Sequence, residues 1–224
     1  MIRLNKESEK ETGKPKFTME EIASTFELFQ SAASDTSFQF STTSICYLAL
    51  KENQMYQERL GQELQTAFEA NPAYSSEDLS SLKELNLVFK ETARIANSAP
   101  ILADRTATKD FKLCGYKINK GDVIKQILVN YQHEYFKDPY KFNPDRHDTE
   151  SPEYNEVPKL RQTPFSHGQR SCLGRYLGEM MVKLVFGEFL KEFEVKVEND
   201  YKIRFGLVPI YGVRNPDLIL KVRR

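Results

Sequence analysis

Net charge is the first thing this sequence lacks: lysine plus arginine and aspartate plus glutamate both total 32. With no field of one sign, composition recommends neither a nucleic acid nor an anionic membrane as partner, and any basic patch has to be local. Long apolar runs are missing too. No stretch approaches the roughly 18 apolar residues of a membrane span, and residues 1–17 are charged rather than signal-like. The chain is therefore read as carrying no anchor of its own. Cysteine is sparse: Cys46, Cys114 and Cys172 form an odd, scattered set without Cys-x-x-Cys spacing. That argues against a disulfide framework or a zinc site and for a reducing compartment.

Enough apolar material is present for a core. With 224 residues, 40% of them hydrophobic, the chain reads as one domain over residues 18–224 behind a flexible charged leader at 1–17. Thr18 and Glu21 have capping-box spacing, and Ile22, Phe26, Phe29, Ala33, Thr36 and Phe40 then follow one helical face. This predicts a long helix to about Leu50. Asp35 and Thr36 sit side by side in its middle, where a threonine ordinarily bonds a carbonyl one turn back and an aspartate faces water. Met55, Leu60, Leu64 and Phe68 predict a second helix ended by Asn71 and Pro72, and residues 75–81 read as a linker. Ser81 and Glu84 predict another capping box, opening a helix through Leu85 and Phe89 to Arg94. Glu91 and Arg94 share one face of that helix, a spacing that by itself is ordinarily a weak surface pair.

Residues 101–130 change texture. Phe111, Leu113, Tyr116 and Ile118, a turn at 119–121, and β-branched Val123, Ile124, Ile127 and Val129 predict a small antiparallel sheet. Residues 143–164 read as a loop, and 193–197, 201–207 and 218–222 as short strands of a second sheet. Between these lies the stretch 165–174, F-S-H-G-Q-R-S-C-L-G. Leu173, Leu177, Met180 and Leu184 recur after its cysteine at helical spacing, which puts Cys172 at a helix N-terminus, where donors and dipole favour a thiolate. A thiolate held by backbone donors suits axial ligation of haem iron. The alternative for a lone cysteine is a small buried hydrophobe.

The joint spacing of Phe165, Gly168, Arg170, Cys172 and Gly174 resembles the haem-binding loop of the cytochrome P-450 family, F-x-x-G-x-R-x-C-x-G. The resemblance implies that Cys172 is the proximal iron ligand, that Phe165 packs beneath the ring, that Arg170 reaches a propionate, and that Gly168 and Gly174 flank the cofactor. Residues 32–37, A-A-S-D-T-S, resemble the family's oxygen-binding stretch and make Asp35 and Thr36 a proton-delivery pair, with Ala33 where the family usually has glycine. Glu91 and Arg94 match its E-x-x-R motif, and Arg146 in F-N-P-D-R-H matches a later arginine. Together they imply a buried structural cluster, from which His147 departs by replacing an aromatic residue. Arg105 falls where the family has a propionate ligand; a surface arginine is the alternative. His133 matches a structural hydrogen-bonding position. Residues 99–102 and the late strands would border the substrate pocket.

The whole resemblance implies the C-terminal half of a monooxygenase, from the long central helix onward. Its fold would be mainly α with small antiparallel β-sheets. Haem b (iron protoporphyrin IX) would be the cofactor, and one oxygen atom from O₂ would be inserted into a small apolar substrate. Electrons would come from NADPH through a flavoprotein reductase or other donor, docking near Lys159, Arg161, Arg175 and Lys183. The setting would be intracellular: the endoplasmic reticulum surface if an N-terminal anchor lies in a missing half, otherwise cytoplasmic. A non-catalytic haem-binding fragment and a haem-thiolate isomerase or dehydratase stay open as alternatives, the latter opposed by Asp35 and Thr36. A missing half also predicts that the face with Phe26, Phe29 and Phe40 lacks its cover and that the chain alone is a poor enzyme.

Overall fold

In the computed structural model, which describes residues 1–73, 75–127, 135–154, 164–207 and 210–223, the first helix is one that hydrophobic periodicity does not announce. His133, Val129, Lys159 and Arg161 lie outside the described residues. Helix α1 (Ile2–Thr12) falls within the stretch read as a flexible leader and buries none of its residues. Its support is local. Arg3 and Glu7 pair across one turn at 3.5 Å, and Gly13 closes the helix at φ 72, donating its N–H to Glu9. The Asn5 side chain then folds the next segment back, exchanging two 2.8 Å hydrogen bonds with the backbone of Phe17.

Helix α2 (Met19–Ala49) starts where its capping box predicts: the Thr18 hydroxyl accepts from the Glu21 N–H at 3.1 Å, and the Glu21 carboxylate accepts from the Thr18 N–H at 2.8 Å. The chain divides into two compact units, Met1–Thr36 and Ser37–Arg224. In the first, Phe26 and Phe29 are exposed, as the uncovered face predicts. In the second, Phe40 departs from that expectation. It is buried, with its ring 4.9 Å from that of Phe89.

Helix α3 (Gln54–Ala70) buries Leu60, Leu64 and Phe68 as expected, and Met55 faces out. The segment read as a linker forms a short helix, α4 (Ser76–Ser81), because Ser75 and Asp78 make a reciprocal capping box. Helix α5 (Lys83–Ile95) is not opened by Ser81 and Glu84. Its cap is the carboxylate of Glu63 on α3, which accepts from the N–H groups of Glu84 and Leu85 at 3.0 Å each. Glu84 instead pairs with Arg59 at 2.8 Å.

Four two-stranded antiparallel ribbons follow among the described residues. Strand β1 (Arg105–Thr106) pairs with β4 (Val123–Ile124), and β2 (Phe111–Leu113) with β3 (Tyr116–Ile118). The second hairpin turns through Cys114 and Gly115, both at positive φ, as a two-residue connection requires. Helix α6 (Arg175–Glu192) leads into β5 (Phe193–Lys196), which pairs with β8 (Ile219–Val222). Strand β6 (Phe205–Leu207) pairs with β7 (Tyr211–Val213), a strand the sequence pattern does not show.

The core of the second unit gathers Leu48, Leu60, Leu64, Leu85, Val88, Phe186, Leu190 and Val195, each at 0% exposure. Full burial of such a side chain stabilises by about 1.5–3 kcal/mol. One buried polar residue ties the helices to a strand. Gln57 of α3 donates to the carbonyls of Leu48 and Val195 at 2.9 Å and accepts the Val195 N–H at 2.7 Å.

Candidate functional site around Cys172

The cysteine loop is shaped by its own backbone. After Ser166 at φ 61 and Gly168 at φ 69, a 3₁₀ turn (Gly168–Arg170) returns the chain so that the Cys172 N–H donates to the Phe165 carbonyl at 2.8 Å. Left-handed backbone at a serine costs on the order of 1 kcal/mol, so the closed loop is held by its neighbours. Phe165, Gly168, Arg170, Cys172 and Gly174 thus lie in one loop. Cys172 is exposed and carries a free thiol, which sets aside the buried-hydrophobe alternative.

Helix α6 begins at Arg175 with Gly174 as its N-cap. The Cys172 carbonyl accepts the Arg175 N–H at 3.4 Å, and a Cβ on Gly174 would stand 3.9 Å from Cys172 Sγ. The thiol therefore sits just ahead of the cap. The stripe that predicted the helix is not its buried face. Leu173 is 82% exposed and Leu177 54%, while Val182, Lys183, Phe186, Gly187 and Leu190 point inward. Lys183 is buried because its Nζ pairs with Glu179 at 2.7 Å and lies 5.6 Å from the Phe89 ring.

Behind the loop, the Glu91 carboxylate gathers more partners than the motif predicts. Its Oε1 accepts from Arg94 Nη2 at 2.8 Å, from the Asn143 N–H at 2.8 Å and from Arg146 Nε at 3.1 Å. Its Oε2 accepts from Arg94 Nε at 2.8 Å and lies 2.9 Å from His147 Nε2. Burial alone would raise the carboxyl of Glu91, but the hydrogen bonds of Arg94 and His147 more than reverse it and hold it at about 2. The guanidiniums pin the preceding loop: Arg94 donates to the Pro139 and Lys141 carbonyls, and Arg146 to those of Lys137, Asp138 and Lys141. Both stack on Phe136, at 4.9 and 5.8 Å from its centroid. His147, Asn143 and Phe136 were not legible as cluster members.

The other candidates stand differently. Arg105 donates to the carbonyls of Ala103 and Asp104 at 2.9 and 3.4 Å. Thr36 donates one turn back to Ala32 at 2.6 Å, with Asp35 exposed beside it. Asp35 and Thr36 belong to the first compact unit and Cys172 to the second. Arg170 is exposed, and nothing lies within 4 Å of where a Gly168 Cβ would be. An accessible sulfur donor, an open glycine flank and a nearby guanidinium fit the haem that the resemblance implies. Among the described residues no helix is long and apolar enough to cross a membrane.

The sequence model of the family Cytochrome P450 matches residues 1–215, which takes in the stretch ahead of Thr18. "Probable cytochrome P450 6d5" of Drosophila melanogaster is 30% identical, aligning 86% of this chain and 37% of its own length. "Cytochrome P450 1A1" of Mesocricetus auratus is 31% identical over 79% of the chain and 34% of itself. "Sterol 14alpha-demethylase" of Mycolicibacterium vanbaalenii is 29% identical over 84% of the chain and 41% of itself. The chain thus spans little more than a third of the length of such relatives. With a mainly helical fold, small antiparallel ribbons, a buried Glu91 cluster and a family match over residues 1–215, this chain belongs to the cytochrome P450 family.

Proposed function

We propose that this chain supplies the haem-thiolate part of a monooxygenase that inserts one atom of O₂ into a small apolar organic substrate. The observation that carries the reading is the free, exposed thiol of Cys172 on a loop closed by its own amide. Bound haem would supply the dioxygen chemistry. Cys172 would hold the iron, Phe165, the open flank at Gly168 and the side-chain-free Gly174 would seat the ring, and Arg170 and Arg105 would meet propionates. Arg105 has to give up its bonds to the two residues just ahead of its strand to do so. Asp35 faces water and Thr36 stands beside it, an arrangement suited to relaying protons from solvent. Electrons would come from NADPH by way of a flavoprotein reductase or other donor, for which Arg175, exposed beside the loop, offers one cationic contact. Scattered free cysteines support an intracellular setting.

The test is reconstitution of residues 1–224 with haem, reduction, and addition of carbon monoxide. A strongly red-shifted Soret band supports a thiolate-held iron. An unshifted band overturns the assignment. Oxygen and reductant dependence of product then separates a monooxygenase from an isomerase or dehydratase. Because the chain spans so little of its relatives' length and exposes Phe26 and Phe29, residues 1–224 alone are expected to turn over poorly and to self-associate. A monomeric, haem-loaded protein giving many turnovers would overturn that expectation.

Thr36→Ala is expected to lower product per reductant consumed and raise peroxide release, leaving the haem spectrum intact. The comparison is made with haem, a reductase and an apolar substrate supplied, so that both product and peroxide are counted. Unchanged coupling would remove Thr36 from the proton path.

A further inference from the structure

We infer that Asn97, just past the end of α5, is a positioning residue for the cysteine loop, holding the Pro164 carbonyl and through it the backbone that receives the Cys172 amide. Asn97 is buried to 8% exposure. Its Nδ2 donates to the Pro164 carbonyl at 3.1 Å, and its Oδ1 accepts the Ala99 N–H at 2.8 Å. One end of the side chain therefore fixes its own turn and the other reaches 67 residues along the chain. Proline has no N–H, so the carbonyl is the one backbone polar group by which Pro164 can be tied. The next residue is Phe165, whose carbonyl accepts the Cys172 N–H at 2.8 Å.

A second contact, from α5 itself, works at the same place. The Phe165 ring stacks on Phe89 of α5 with centroids 6.4 Å apart and planes 14° apart, and the Arg175 guanidinium lies 5.8 Å from the Phe165 centroid. An offset ring pair is favourable beyond its burial, but it leaves sliding in the ring plane weakly opposed. The Asn97 hydrogen bond is directional and fixes that remaining freedom. Helix α5 and the turn just after it thus carry two loops at once: Glu91 and Arg94 hold residues 139–147, and Phe89 and Asn97 hold residues 164–165.

The inference rests on Cys172 being the working thiol proposed above, yet its test needs no haem. Hydrogen exchange at the Cys172 amide is measured in the haem-free chain for wild type and Asn97→Asp. Aspartate keeps an oxygen for the Ala99 N–H, loses the donor, and sets a carboxylate oxygen against the Pro164 carbonyl. Loss of one hydrogen bond, about 1 kcal/mol, changes an opening equilibrium roughly fivefold. Exchange at Cys172 is therefore expected to rise by about that factor or more, with the amides of α3 unchanged. Asn97→Ser, uncharged and too short to reach Pro164, makes the same comparison if a buried carboxylate unfolds the chain. Wild-type exchange at Cys172, or an equal rise at Cys172 and in α3, overturns the inference. A missing thiolate spectrum with raised Cys172 exchange would instead count against the haem assignment alone.

Discussion

Cys172→Ser, loaded with haem, reduced and exposed to carbon monoxide, is expected to lose the red-shifted Soret band entirely. Serine matches the thiol in shape but stays a neutral hydroxyl at pH 7, so it cannot place a soft anionic donor on iron. The substituted side chain is exposed, and substitutions at such positions ordinarily shift stability by no more than about 0.5 kcal/mol. The expected pattern is thus a lost band with an unchanged melting temperature. A retained band would mean that another residue ligates the iron. A melting temperature lowered by many degrees would mean that the loop fails before the ligand does.

The Glu91 cluster gives the other large effect. Replacing its carboxylate by an amide in Glu91→Gln takes away the buried negative charge that Arg94 and Arg146 share. Breaking a buried ion pair from one side costs about 3–5 kcal/mol. For a chain of this length that is of order 10 °C in Tm. The pH dependence has a definite sign. Glu91 is held at about 2 in the folded chain, below its ordinary 4.5. Its contribution is fully present above about pH 4.5 and is lost as pH falls toward 2, by which point roughly 3 kcal/mol has gone. Urea midpoints of wild type and Glu91→Gln should therefore converge as pH drops through that window. Parallel curves down to the acid limit would show that the carboxylate is not what the arginines answer to.

How much of this was legible in sequence depends on how local the cause is. Thr18 and Glu21 lie one helical turn apart, and their reciprocal bonds place the start of α2 as read. Glu63 caps α5 from 21 residues away, so no window around Ser81 could have shown it. Helix α6 is apolar on more than one side, and periodicity alone cannot say which side meets the core. The inward face carries Val182, Phe186 and Leu190 together with a lysine, Lys183, whose burial is made tolerable by Glu179 one turn back and Phe89 beside it. His147 looked like a departure from a motif, yet it joins Glu91 through a contact spanning 56 residues. Order and spacing located the cysteine loop; the side chains that hold it, Phe89 and Asn97, carry no signature because their partners are a ring and a carbonyl far along the chain.

Gln57 has a consequence for how firmly the β5–β8 ribbon is seated on the helices. Strand β5 pairs with β8 on one side, where Val195 stands opposite Leu220. On its other side the N–H and carbonyl of Val195 are both taken by the Gln57 amide. A side chain there stands in for a third strand, satisfying groups that lie out of reach of water, since Val195 is at 0% exposure. Gln57→Leu would keep most of the buried volume and leave the Val195 N–H without its acceptor, with Gln54 still donating to the carbonyl at 3.3 Å. The loss would then surface as a lowered melting temperature, a buried donor left unsatisfied costing about 1–3 kcal/mol.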